Sequence, residues 1–114
     1  MDLSVFEQDE TCKVTIVDPT TGKDTDIEIE VYSLDSKQYR KVTTAIAKSD
    51  EEKTGEFLLA SLTKSWTNVQ FNKKDVELTI ENATDLYGKV PVIYAQLEKV
   101  IYNRVKFMKA LPKS

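Results

Sequence analysis

Two runs of strict alternation constrain this chain more than anything else in it: "CKVTIVD" from Cys12 and "DIEIEVY" from Asp26. In the first, Cys12, Val14 and Ile16 fall on one side and Lys13 and Thr15 on the other. In the second, Ile27, Ile29 and Val31 oppose Glu28 and Glu30. A period of two marks a strand with one apolar and one wet face. Between them "DPTTGKDT" supplies Pro19 and Gly22, so the runs read as a β-hairpin with a loop a little longer than the tightest kind. A lone hairpin is marginal in water, and the rest of the chain must cover it.

Helical periods follow. Asp35 or Ser36 can cap a helix over 36–48, where Tyr39, Val42, Ala45 and Ile46 share a face and form the first cover. "SDEEKTGEFLLASLTKSW" predicts a second helix, capped by Ser49 or Asp50, with Glu51 and Glu52 at its positive end and a stripe of Leu58, Leu62 and Trp66. Phe57 lies on the other side of that helix, either packed or offered to a partner. "TNVQFNKKDVELT" breaks the period and reads as a loop or very short hairpin around Asn72–Asp75. Thr79 or Glu81 then opens a short helix through Leu86 and Tyr87 that Gly88 closes. Pro91 suits the first turn of a last helix, because its missing N–H has no intrahelical partner there.

That last helix, placed at 91–109, carries Ile93, Tyr94, Leu97, Val100, Ile101, Val105, Phe107 and Met108 over an arc of about 160°, against about 100° for an ordinary surface helix. The excess suits a partner. Arg104 falls inside the arc and must find a carboxylate or carbonyl, or extend its head to water. The expected fold is therefore α+β, an N-terminal two-stranded hairpin followed by a small bundle of about four helices. A single domain spans 12–110, residues 1–11 form a separate segment whose flexibility is open, and 111–114 form a tail.

Composition removes several chemistries. With no histidine, His-based acid–base catalysis, Ser-His-Asp triads and His metal ligands are gone. Cys12 is the single thiol, and its place on an alternating strand favours a core role over a nucleophile. Asp24, Asp26, Glu28 and Glu30 could gather a hard cation, but the interleaved isoleucines lack a calcium-loop pattern and a solvated strand face is the simpler reading. Gly22, Gly55 and Gly88 stand isolated, so no phosphate loop is present. No catalytic residue, metal or cofactor is expected.

No run reaches the length of a membrane span, and "MDLSVFEQDE" lacks the form of a signal peptide, so a cytoplasmic protein without membrane contact is expected. Residues 1–60 hold 14 acids and 7 bases, net −7; residues 61–114 hold 5 and 9, net +4; the sum is the chain's −3. Opposed halves suit head-to-tail association or attraction within one domain. Lys99, Arg104, Lys106, Lys109 and Lys113 could touch phosphate, but an acidic protein approaches a nucleic acid against repulsion, and three of them fit the simpler role of opposing the negative end of a helix.

In order and spacing the chain resembles the tail assembly chaperones of long-tailed (siphovirus-type) bacteriophages, across roughly residues 12–108. The strand and aromatic helix "IEIEVYSLDSKQYRKV" come first, then "LLASLTKSWTNV", the polar turn and Phe of "VQFNKKDVELT", "ENATDLYGKVP" and the ending "QLEKVIYNRVKF". "MDLSVFEQDE" has no counterpart in that pattern. The resemblance implies a non-enzymatic helper in the host cytoplasm that binds the tape measure protein, keeps its long helices soluble and brings major tail protein to it. Many such relatives also have a longer product made by a ribosomal slip. Expected partner contacts are Tyr94, Leu97, Ile101, Tyr102 and Val105, with Phe57, Trp66, Phe71 and Arg104 as secondary contacts. Leu97 and Ile101 read equally as core, and Trp66 and Phe71 more often so. Self-association stays open, as do two alternatives: a structural tail or head–tail component, and a small acidic phage inhibitor acting through the Asp24–Glu30 face.

Overall fold

The computed structural model describes residues 1–49 and 51–109. The hairpin forms as the alternation predicts. β1 (Thr11–Val17) and β2 (Asp24–Tyr32) pair antiparallel, with Cys12 opposite Val31 and Val14 opposite Ile29, and a register shift between Thr15 and Val17. The loop is held by Asp18, whose Oδ1 accepts from the Thr20 N–H at 2.8 Å and the Thr20 hydroxyl at 2.7 Å. Gly22, at φ 72°, supplies the left-handed residue that returns the chain.

The sheet does not stop at two strands. α2 (Gly55–Ser61) ends after two turns and the chain enters β3 (Thr63–Thr67), which pairs antiparallel with the free edge of β2. The order is β1-β2-β3. Trp66, expected on a helical stripe with Leu58 and Leu62, instead sits opposite Ile29. Thr63, Trp66 and Thr67 favour extended backbone, and β2 offers unpaired N–H and C=O groups that a longer helix would leave unsatisfied. The cap of α2 moves accordingly: Thr54 Oγ1 accepts from the Phe57 N–H at 3.1 Å. Ser49 instead ends α1 (Lys37–Lys48), and Asp50 lies outside the described residues.

The helices therefore do not follow the hairpin as a simple bundle. Among the described residues four α-helices are interleaved with the third strand and with a miniature hairpin, β4 (Gln70–Phe71) and β5 (Lys74–Asp75). Asn72 and Lys73, at φ 52° and 66°, turn that hairpin in two residues. α3 (Ile80–Lys89) is capped by Thr79, whose hydroxyl accepts from the Asn82 N–H at 3.0 Å. Gly88 lies inside α3 without a positive φ, and Val90 ends it. α4 begins at Pro91 as expected but stops at Ile101, not near 109. Asn103 then caps a 3-10 turn, Arg104–Phe107, its side chain accepting from the Val105 N–H at 3.2 Å.

The core lies between one face of the sheet and α2, α3 and α4. Ile29 and Val31 of β2, Leu62, Ala83, Tyr87, Leu97 and Phe107 are all but sealed from solvent. Tyr87 meets Trp66 edge to face, with ring centroids 6.5 Å apart, and its hydroxyl hydrogen-bonds Thr63 Oγ1 at 2.6 Å. Burial, only partly offset by that bond, raises the Tyr87 hydroxyl to about 12. The termini close the far end: Gln8 bridges Met108, the Asp9 N–H donates to the Phe107 carbonyl at 2.7 Å, and a 3-10 turn spans Leu3–Phe6. α1, expected as the first cover, contributes no buried residue.

Leu97→Ala removes a sealed side chain and should lower the unfolding free energy in urea by about 2–5 kcal/mol. Tyr102→Ala, at a position 66% exposed, should change it by no more than about 0.5 kcal/mol.

Candidate functional site

α4 turns Ile93, Leu97 and Ile101 inward at helical spacing, and its next flank carries Tyr94 and Glu98. Where that flank meets α2 and the chain leaving β2, an apolar crevice of about 80 Å³ opens. Leu34, Leu58, Leu62, Tyr94 and Ile101 line it, and Tyr102 stands at its edge. Gly55 makes room for the Tyr94 ring tip, since an added Cβ there would lie 2.5 Å from the hydroxyl oxygen. Burial, followed by the Glu98 carboxylate, raises the Tyr94 hydroxyl to about 12, so it stays protonated at neutral pH.

Below α4 the 3-10 turn is fixed by charge. Arg104 donates from Nε to Asp35 Oδ2 at 2.8 Å and from Nη2 to Oδ1 at 3.2 Å, and Gln8 Nε2 donates to Oδ2 at 3.1 Å. The Arg104 hydrogen bonds hold Asp35 below the usual carboxylate range. The guanidinium thus finds the carboxylate that its place in the sequence demanded, but from a 3-10 turn and not a helix. The same turn leaves Val105 68% exposed. Leu3, Val5 and Phe6 are also exposed and sit within a few residues of the Gln8–Met108 bridge, which joins them to this end of the molecule.

The expected contact residues therefore divide. Leu97 and Ile101 are core. Tyr94 is half-buried at the crevice, and Tyr102 and Val105 are open. The arc of about 160° assigned to one long helix does not exist as such, because Val105, Phe107 and Met108 lie beyond the end of α4 and Phe107 closes the core. Trp66 is engaged by Tyr87 and by the Val76 carbonyl, to which Nε1 donates at 3.0 Å. Phe71 rides on the miniature hairpin, 38% exposed, with Lys89 Nζ 5.4 Å from its ring centre. Phe57 is half-buried, beneath Lys53 at 4.9 Å, and faces α1. Lys113 is outside the described residues.

No family model matches the chain, and no curated protein or solved structure matches it significantly.

The acidic face of β2 is largely occupied from within. Glu30 accepts from the Thr11 hydroxyl and from Ser65 Oγ at 3.2 Å, and Lys64 lies 3.9 Å away; Glu28 has Lys13 at 3.9 Å. Among the described residues no three carboxylates or thiols converge on a point that could hold a metal ion. Cys12 is half-buried, and burial raises its thiol, so it is mostly uncharged at neutral pH. No helix among the described residues is long and apolar enough to cross a membrane. Sequence reasoning missed the open face of α1, although its Lys37, Arg40, Lys41 and Lys48 without a single acid were a readable signal.

Glu30 is held below its ordinary 4.5, first by the Thr11 hydroxyl. A carboxylate depressed in the folded state adds stability that is present above its unfolded value and fades as pH falls through its folded one. Glu30→Gln should thus lower stability at pH 7 and flatten the loss of stability below about pH 4.5, as read by urea midpoints across the acid range.

Proposed function

We propose that this protein is a bacteriophage tail assembly chaperone that holds an extended helical client, the tape measure protein, and helps bring major tail protein to it in the host cytoplasm. One structural observation supports the reading: the end of α4 presents apolar groups that the closed core does not use. Tyr102, at the edge of the crevice beside Tyr94, is 66% exposed, and Val105, on the 3-10 turn that follows α4, is 68% exposed. A helix docks by setting side chains at i, i+3 and i+4 into such a surface, and a phenol with one apolar face and one polar tip suits a reversible contact. The resemblance in the order of segments points to the same function.

The client contacts are narrower than the sequence alone suggests. Tyr94, Tyr102 and Val105 carry them, with Leu34 and Leu58 as the crevice walls. Leu97 and Ile101 hold the surface from beneath. Binding requires no catalysis.

Co-expression of the full chain with a helical fragment of a tape measure protein should keep that fragment soluble and co-purify with it. The double variant Tyr102→Ala with Val105→Ser, both at open positions, should keep its own fold and lose at least about tenfold in retained fragment. A fragment that still precipitates, with nothing bound to the wild-type chain, contradicts the reading.

A further inference from the structure

The crevice beside Tyr94 is too small for a free ligand and about the size of one side chain. Its volume is about 80 Å³. Pockets that take cofactors or drug-sized molecules run to about 300–1,000 Å³, and one benzene ring occupies a cavity of about 150 Å³. Six ring carbons in that space scale to about three or four carbons here. That is the head of a leucine, isoleucine or valine and not an aromatic ring. The floor does not widen freely, because Leu59, Leu62 and Ile101 belong to the packed core. Leu34, Leu58 and the Tyr94 ring give the entering group apolar walls.

The mouth is acidic. Glu98 lines it from α4, and Glu56 follows Gly55, which lines it from α2. Burial acts first on the Tyr94 hydroxyl, then Glu98, then Glu56, so the charges of both carboxylates reach the crevice. Among the described residues neither has a lysine or arginine nitrogen within 4.0 Å. Arg104 is taken by Asp35, next to Leu34, and Lys53, shortly before Glu56 in the chain, is taken by Glu51. Two uncompensated negative charges at the mouth of an apolar hole favour a cation beside whatever enters it.

We infer that the crevice is an anchor pocket that reads one branched aliphatic side chain of the partner helix together with a lysine or arginine one turn along it. The inference rests on the client reading for the helix and adds what that helix must carry. A leucine, isoleucine or valine fills the crevice, and a base three or four positions away, on the same face, lies over Glu98 and Glu56. Aromatic side chains are turned away by size, and a helix with an acid in place of the base is turned away by charge.

A small probe carries both features without any client: 3-methylbutylammonium, a branched aliphatic head on a cation. Titrated into the full chain, it should shift the NMR signals of Leu34, Leu58 and Tyr94 along one saturating curve, with a Kd of about 1–10 mM. The neutral 3-methylbutan-1-ol should bind about threefold or more weakly, and benzylammonium about tenfold or more weakly. Glu56→Gln with Glu98→Gln, which keeps shape and removes charge, should erase the preference for the ammonium over the alcohol. An alanine scan of the retained tape measure fragment should find its largest losses at one leucine, isoleucine or valine and at a lysine or arginine three or four positions from it. The inference is overturned by a probe that leaves these signals still, by benzylammonium or the alcohol binding as well as the ammonium, or by a scan whose losses fall on aromatic or acidic residues. A probe that saturates the crevice while the wild-type chain retains no fragment supports the pocket and its preference and contradicts the client reading alone.

Discussion

Everything in this fold is placed by the pairing of β2 on both of its edges. As the middle strand it spends its backbone groups on β1 and β3, and turns Ile29 and Val31 into a core that seals them completely. The hairpin by itself would leave one edge and one face open. β3 closes the edge, and Leu59, Leu62, Tyr87, Leu97 and Phe107 close the face. α2 is short because Thr63 must already be in register with Val31, and the Tyr32 N–H donates to the Leu62 carbonyl at 2.8 Å at that junction. The opposite face stays wet, where Glu30 gathers Thr11, Ser65 and Lys64 across three strands.

A domain of this size has little interior to share. α4 and the Phe107 turn fill what the sheet offers, and apolar groups remain outside, among them the crevice with the exposed side chains at and just beyond the end of α4, the face of α1 toward Phe57 and Ile80, and Leu3, Val5 and Phe6. They use different residues and carry different charge. The first is bordered by Glu98, the second by Lys41 of α1 and by Lys53.

Local chemistry was legible in the sequence and long-range pairing was not. The period of two gave both strands of the hairpin with correct inward residues, and Asp35 or Ser36, Thr79 or Glu81, and Pro91 marked three helix starts, of which Ser36, Thr79 and Pro91 serve, because each acts on its own neighbours. β3 was hidden because Leu58, Leu62 and Trp66 are also one face of a helix, and the tie is broken only by the free edge of β2, some thirty residues earlier. Val105, Phe107 and Met108 were counted on α4 because the apolar period continues past Ile101; Asn103, a good cap, was the sign that the helix ends. At the site, Tyr102 and Val105 were expected as contacts and are exposed, whereas periodicity alone could not separate the sealed Leu97 and Ile101 from a contact surface. α1 was read as a cover because an apolar stripe shows which residues want burial and not whether anything lies opposite them.

Native-state amide hydrogen exchange separates the closed core from the open helix most directly. In dilute protein, the amides of β2 at Ile29 and Val31 and those of α4 around Leu97 should exchange only through global unfolding, while the amides of α1 from Val42 to Ala47 exchange by local opening, orders of magnitude faster. Protection of α1 equal to that of β2 under the same conditions would mean that α1 belongs to the core of the single chain, and would contradict both the open face of α1 and the division of surfaces built on it.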